Sequence, residues 1–187
     1  MHLERMAGDT EGLHTVATLY AAVFSGPDGR PDSVVEILGR LRRHMGYPGF
    51  RGLVLREGAD TIGFAYGYTS LPGQFYRTKL ERALRPDQAE TWLSDCFELV
   101  ALGVRAGDRR HGYGRALHDV LLDGVPAKTS VLTTEASNTA ARSLYARRGW
   151  EILCPDFDPM GHGELFVIMG RRLPLSREKR ATAGHGP

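Results

Sequence analysis

Cysteine is scarce, with 2 residues in a chain of 187, and lysine is rare beside arginine, 3 against 21. Cys96 and Cys154 sit inside apolar runs, so they read as buried free thiols of a reducing compartment and not as a disulfide framework. No run approaches the roughly 18 consecutive apolar residues of a membrane-spanning helix. The opening Met1-His2-Leu3-Glu4-Arg5-Met6 lacks the apolar stretch of a secretion signal. The expectation is a cytoplasmic protein with no membrane partner. Charge of one sign is also lacking: the formal net charge is +2, and the body carries scattered arginines in place of the coherent basic face that nucleic acid requires. The local exception is the end of the chain, where Arg171, Arg172, Arg177, Lys179 and Arg180 stand against Glu178 alone.

What is present is globular in composition, at 42% hydrophobic, 25% charged and 9% aromatic residues. A chain of this length buries about 70% of its unfolded surface, so its core needs neither a disulfide nor a structural metal. One domain over residues 1–170 is expected, followed by a basic, disordered tail over 171–187.

Periodicity gives the order of elements. A short strand opens the chain near residues 2–6. Leu13, Val16, Ala17, Tyr20, Val23 and Phe24 recur at helical spacing, and Gly26-Pro27-Asp28-Gly29 stops that helix. After Pro31-Asp32, Ser33 and Glu36 have the spacing of a capping box, and Val34, Leu38, Leu41 and Met45 form the expected stripe of a second helix. Residues 50–56 and 61–69 read as a hairpin joined by Glu57-Gly58-Ala59-Asp60. Its second strand sets Ile62, Phe64, Tyr66 and Tyr68 on one face and Gly63, Ala65 and Gly67 on the other. That smooth side suits close approach by a helix, another backbone or a thin ligand. An insertion over 70–95 offers short helices at 78–83 and 87–93. Then come a strand over 96–104, a helix carried by Tyr113, Ala116, Leu117, Val120 and Leu121, a strand over 130–134, a helix over 138–148 stopped by Gly149, and strands over 150–153 and 164–169. The fold class is therefore α/β, a mixed sheet of 6–7 strands with helices on both faces.

The chemistry concentrates in Arg109-Arg110-His111-Gly112-Tyr113-Gly114-Arg115, between a strand and a helix. Glycines let several N–H groups point into one concavity, and the positive end of the next helix adds roughly 0.3 to 1 kcal/mol of attraction for a phosphate. Arg109, Arg110 and Arg115 reinforce it. A nucleotide P-loop requires Gly-Lys-Ser/Thr, and the lysine is missing. A dinucleotide fingerprint finds Gly112-x-Gly114 and Glu135 further on, but Leu117 occupies the place of the third glycine, and the motif lies mid-chain after antiparallel strands.

A third phosphate ligand is acyl-coenzyme A. The run Glu98-Leu99-Val100-Ala101-Leu102-Gly103-Val104 followed by Arg109-x-x-Gly112-x-Gly114 resembles the pyrophosphate-binding signature of the GNAT superfamily of N-acetyltransferases. Asn138-x-x-Ala141-x-x-Leu144-Tyr145-x-x-x-Gly149-Trp150 is similar to the second helix motif of that family. The resemblance spans residues 1 to about 170 and implies a GNAT-type acyl-CoA N-acyltransferase fold with acetyl-CoA as cosubstrate and no metal. It further implies that the backbone along Leu102, Gly103 and Val104 pairs with the pantetheine arm, and that Arg109, Arg110, His111, Gly112, Tyr113, Gly114 and Arg115 surround the pyrophosphate. Asn138 would bond the arm and Tyr145 would point at the sulfur.

An alkylamine of pKa near 10.4 is protonated at neutral pH, so making it nucleophilic costs about 3 pH units, or roughly 4 kcal/mol. Glu98, the one acid in an apolar strand, is the candidate base, since burial raises a carboxyl toward neutrality. Tyr145 is the candidate proton donor to the departing thiolate. Plainer readings stand beside these: Glu98 as partner of an arginine on a neighbouring strand, Tyr145 as core, and Asn138 as helix cap. His111, His118 and His162 lack metal-ligand spacing. Cys96 and Cys154 have no activating neighbour in sequence, so direct transfer without a covalent intermediate is expected.

The acceptor is expected to be a primary amine of a small molecule, entering over the Tyr66 and Tyr68 face, with Phe75, Tyr76 and Trp92 of the insertion as walls. The same aromatics suit contacts between copies in a homodimer. Acetyl transfer to a protein N-terminus or lysine, and a non-catalytic acyl-CoA-binding sensor, are the alternatives.

Overall fold

The structure, a computed structural model, describes residues 1–24 and 33–174. The expected glycine-proline stop after the first helix, the Pro31-Asp32 approach to the second and most of the expected tail lie outside the described residues. In chain order the elements are β1 (His2–Arg5), α1 (Thr10–Phe24), α2 (Val34–Met45), β2 (Arg51–Glu57), β3 (Asp60–Ser70), α3 (Phe75–Ala83), α4 (Pro86–Leu93), β4 (Cys96–Val104), a 3-10 turn (Ala106–Asp108), α5 (Tyr113–Leu122), β5 (Thr129–Glu135), α6 (Thr139–Ala146), β6 (Glu151–Phe157) and β7 (Phe166–Arg172). The strands form one mixed sheet in the order β1-β2-β3-β4-β5-β7-β6. Two compact units share the described residues: residues 1–24, 33–68 and 100–123, and residues 69–99 with 124–174.

The first unit is built on the antiparallel run β1-β2-β3. Glu57 pairs with Asp60 across the turn, and a bulge between Leu55 and Arg56 shifts the register. The α2 helix begins with the expected capping box: Glu36 N–H donates to Ser33 Oγ at 3.2 Å, and Ser33 N–H donates to Glu36 Oε2 at 2.8 Å. Its buried stripe is Ile37, Leu41 and His44, with Val34, Leu38 and Met45 only flanking it. The helix is thus rotated slightly from the phase its aliphatic residues suggest, which takes a histidine into the core. The smooth side of β3 is filled by packing. A Cβ on Gly63 would stand 3.1 Å from Leu117 Cδ1 of α5 and 3.2 Å from the Gly103 carbonyl of β4.

The second unit holds α3 and α4 against the start of β4, with β5, β6 and β7. Cys96, Phe97 and Glu98 pair in parallel with Thr129, Ser130 and Val131. The β5 strand pairs antiparallel with β7 along its whole length, from Thr129↔Arg172 to Glu135↔Phe166. Leu80, Leu93, Cys96, Val131 and Ile168 form the centre of its core. Cys154 is only half-buried, unlike Cys96. The sheet continues past the expected limit at residue 170. Arg171 and Arg172 are strand residues opposite Ser130 and Thr129, and the Arg172 guanidinium lies 5.2 Å from the centre of the Trp92 ring. Their charge suggests tail; their neighbours on β5 and Trp92 make them sheet.

Gly63→Ala is expected to lower stability by about 1 to 3 kcal/mol, because the Gly103 carbonyl is backbone and yields little. A shift in the urea midpoint at constant m-value checks this.

Candidate functional site

In the first unit β4 delivers the chain to the arginine-rich turn. Arg105 N–H donates to the Ile62 carbonyl at 2.8 Å, which ties the end of β4 to β3. The Arg105 side chain is engaged by two acids, Asp108 at 2.5 Å and Asp60 at 3.5 Å. Arg109 Nε donates to the Val104 carbonyl at 3.1 Å. Arg110 is left-handed at φ 69°, and Gly112 follows at φ 81°. For an arginine that conformation costs about 1 to 2 kcal/mol, a cost typical of functional turns. His111 accompanies it, with Nδ1 3.2 Å from the Asp108 carbonyl and its ring stacked on Tyr113 at 5.6 Å.

Gly112 is the N-cap of α5 and contributes no side-chain cap. The first N–H groups of that helix, around Tyr113, Gly114 and Arg115, therefore point toward an uncapped, positive end. Arg115 lies one turn in, 3.6 Å from Asp119. An anion of the pyrophosphate type fits this chemistry: N–H donors, a helix end and guanidinium groups around one turn. Of the strand residues expected along the pantetheine arm, Leu102 is half-buried while Gly103 and Val104 are buried. Gly103 has a packing reason to be glycine, since a Cβ would meet Phe64 at 2.8 Å and Val23 at 3.0 Å.

In the second unit Glu98 is 4% exposed on β4, and Ser70 Oγ donates to its Oε2 at 3.4 Å. Cys96 lies two residues back on the same face of the strand. Burial foremost, and then the Glu98 charge, push its thiol up to about 12. It stays protonated at neutral pH, which removes it as a nucleophile. The nearby arginine belongs to α3: Arg77, itself buried, donates from Nε to Glu81 at 2.8 Å and from Nη1 to the carbonyls of Ser70 at 2.9 Å and Leu93 at 2.7 Å.

Tyr145 is 6% exposed, set edge-on against Trp150, and burial pushes its phenol well above the usual tyrosine range. It therefore keeps its proton at neutral pH. Asn138 is the N-cap of α6, its Oδ1 accepting the Ala141 N–H at 3.0 Å. Gly149, at φ 77°, provides the left-handed stop after α6.

The expected acceptor aromatics are placed differently from one another. Tyr66 and Tyr68 are fully buried in the first unit with His44: the Tyr66 hydroxyl is 3.4 Å from His44 Nδ1, and Tyr68 meets the His44 ring edge-on at 5.0 Å. Trp92 is core in the second unit, its ring filling the space that a Cβ on Gly170 would occupy. Of the five, Phe75 alone is exposed, at 64%, with Lys79 Nζ 5.2 Å from its ring centre, and Tyr76 beside it is half-buried. The sequence shows these rings to be large and apolar but not which of them the glycine gaps admit into the core. His162 lies in a loop organised by Asp158, whose carboxylate accepts the N–H groups of Met160, Gly161, His162 and Gly163. Those bonds, Gly163 first, hold the Asp158 carboxyl below the usual range. Among the described residues no three His, Cys, Asp or Glu side chains gather as a metal site.

Ser70, Arg77 and His44 escape the sequence reading. The Arg77–Glu81 spacing of four was the one local signal available.

Residues 13–150 match the family model described as the acetyltransferase (GNAT) family. The chain belongs to that family of enzymes. It is 33% identical over 125 residues to a GCN5-like protein acetyltransferase, Rv2170, of Mycobacterium tuberculosis; the match takes in 63% of this chain and 61% of that relative's length. Its fold is similar to that of the ribosomal-protein-S18-alanine N-acetyltransferase of Escherichia coli, with a TM-score of 0.62 and 19% identity over 94% of this chain and 95% of the other. It is also similar to that of a GNAT phosphinothricin acetyltransferase of Sinorhizobium meliloti solved with acetyl-CoA, with a TM-score of 0.66 and 18% identity over 95% and 92% of the two chains.

His44 gives a pH dependence. Burial, aided by Arg43 and Arg40, lowers its pKa from 6.5 to about 4. The unfolded chain therefore binds the extra proton between these values, so stability is full above pH 6.5 and declines as pH falls toward 4, by at most about 3 kcal/mol. His44→Phe is expected to flatten that slope in urea midpoints taken across the same range.

Proposed function

We propose that the chain is an acetyl-CoA-dependent N-acetyltransferase that passes the acetyl group to a primary amine by direct attack in a ternary complex. The observation that carries this reading is the arginine-flanked, uncapped start of α5 in a chain of the GNAT family. Acetyl-CoA supplies an activated acyl group and a thiolate leaving group. The turn from Arg109 to Arg115 holds the diphosphate, with the backbone of Leu102, Gly103 and Val104 along the arm and Asn138 as a further polar contact. Glu98 accepts the ammonium proton, which offsets the roughly 4 kcal/mol cost of a neutral amine at pH 7. Tyr145, still protonated, donates to the leaving sulfur, and a backbone N–H near Leu102 stabilises the oxyanion. With its thiol pushed up to about 12, Cys96 supports attack by the amine itself over an acyl-cysteine route.

The acceptor we propose is a small-molecule amine. Support comes from the 70–95 insertion, which folds as two helices with Leu80, Leu84, Trp92 and Leu93 buried and Phe75 exposed beside them. A protein amine is the second reading, favoured by the name of the mycobacterial relative. Release of free thiol from acetyl-CoA, followed with small amines in one arm and with lysine and free N-terminal peptides in the other, separates the two.

Calorimetry with coenzyme A is expected to register binding that weakens roughly 10- to 100-fold when Arg109 and Arg110 are both replaced by alanine. Glu98→Gln is expected to keep that affinity while lowering turnover by about 10²- to 10⁴-fold. No heat with coenzyme A would sink the reading.

A further inference from the structure

The turn between β4 and α5 and the first helical residues after it carry Arg105, Arg109, Arg110 and Arg115. All but one are engaged within the fold. The Arg105 guanidinium is held by Asp108 and Asp60. Arg109 Nε donates to the Val104 carbonyl at 3.1 Å, which draws its head back to the strand end, and Arg115 stands 3.6 Å from Asp119 one turn along the helix. His111 is likewise occupied, between the Asp108 carbonyl and the Tyr113 ring. Arg110 is the exception. Its side chain is exposed and makes no hydrogen bond, ion pair or ring contact among the described residues. It nevertheless occupies a left-handed backbone position, φ 69°, where glycine is the residue of least strain. A side chain that gives the fold nothing and strains its own backbone is placed for something that arrives from outside.

Coenzyme A offers such a turn two kinds of phosphate. The main-chain N–H groups at the uncapped head of α5, with Arg109 fixed beside the strand end, are donors suited to the diphosphate. The ribose of the same molecule bears a phosphate monoester, with three terminal oxygens and a charge of about −1.5 to −2 at pH 7. That group is matched by a guanidinium, whose planar fork donates two parallel hydrogen bonds. We propose that Arg110 is the specificity residue for the acyl donor: it takes the 3′-phosphate monoester, so the chain selects thioesters of free coenzyme A over thioesters on carriers that lack this group. The proposal rests on coenzyme A being the ligand of the turn. Arg105 does not serve in its place, because two acids already hold it, and Arg115 shares its charge with Asp119.

Calorimetry of the full chain with coenzyme A and with 3′-dephospho-coenzyme A tests this without an acceptor. The native protein is expected to bind coenzyme A about 10- to 100-fold more tightly than the dephospho form. In Arg110→Gly, a residue that suits the left-handed backbone, the ratio is expected to fall to about 1 to 3 while the urea midpoint stays at or above the native one. Arg110→Lys, a point charge without the fork, is expected to lie between the two. Arg109→Ala is expected to weaken both ligands alike and to leave the ratio standing. A native ratio near unity, a ratio unchanged in Arg110→Gly, or a urea midpoint that drops in that variant overturns the assignment. Failure of the native protein to bind either ligand sinks the coenzyme A reading itself, which a lost ratio alone does not.

Discussion

A carboxylate on the buried stretch of an apolar strand has lost its water, and an unpaired charge there costs several kcal/mol. Glu98 is in that position, with Phe97 and Leu99 as its neighbours along β4 and Val131 opposite it. Much of the second unit is arranged in answer. Ser70 offers a hydroxyl, Arg77 brings a buried positive charge to the same neighbourhood, and α3 and α4 supply the carboxylate and carbonyls that hold that arginine. Cys96, on the same face, is left as an inert thiol by its burial and by the negative charge beside it. A strand assembled only for stability would carry leucine or valine at residue 98.

The first unit meets a different constraint, close backbone approach. Gly63 and Gly103 let β3, β4 and α5 pack at distances that side chains would not allow, and Arg105 ties the strand end to β3 through its backbone and to two acids through its side chain. The turn that follows therefore starts from a fixed point. Its unusual conformations, an arginine and a glycine both at positive φ, come immediately afterward, where backbone N–H groups gather at the head of α5. Rigid support on one side and an uncapped helix on the other is what anion binding by main-chain donors requires.

Legibility in the sequence followed the range of the interaction. The capping box at Ser33, the two-residue turn at Gly58, the cap at Asn138 and the stop at Gly149 are each decided within a few residues, and all of them read correctly. The alternation of β3 is equally local, so its smooth face was visible. What fills that face was not, because Leu117 and Gly103 come from 54 and 40 residues further along the chain. The same reason hides Ser70, whose partner is 28 residues away, and hides the burial of Tyr66, Tyr68 and Trp92, which read as candidate surface rings. Charge misled once. Arg171 and Arg172 look like tail by composition, yet long side chains with apolar stems lie well along a sheet and over an aromatic ring. The phase of α2 also misled, since the stripe expected on Val34, Leu38, Leu41 and Met45 is turned so that Ile37, Leu41 and His44 are the buried residues.

The other perturbed groups are ill suited to taking the amine proton, and this strengthens the choice of Glu98. With its pKa near 4, the His44 imidazole is too weak a base to draw a proton from an ammonium near neutral pH, and the cationic Arg40 and Arg43 oppose its protonation. Asp158 is held below the ordinary carboxylate range by four backbone donors, and accepting a proton would forfeit bonds that organise its loop. Tyr145 errs the other way: burial keeps its proton in place, so it can give a hydrogen bond to a thiolate but not begin by removing one from the amine. Glu98 differs from all three in its place on the strand that leads directly to the arginine turn, where the Ser70 hydroxyl donates to its Oε2.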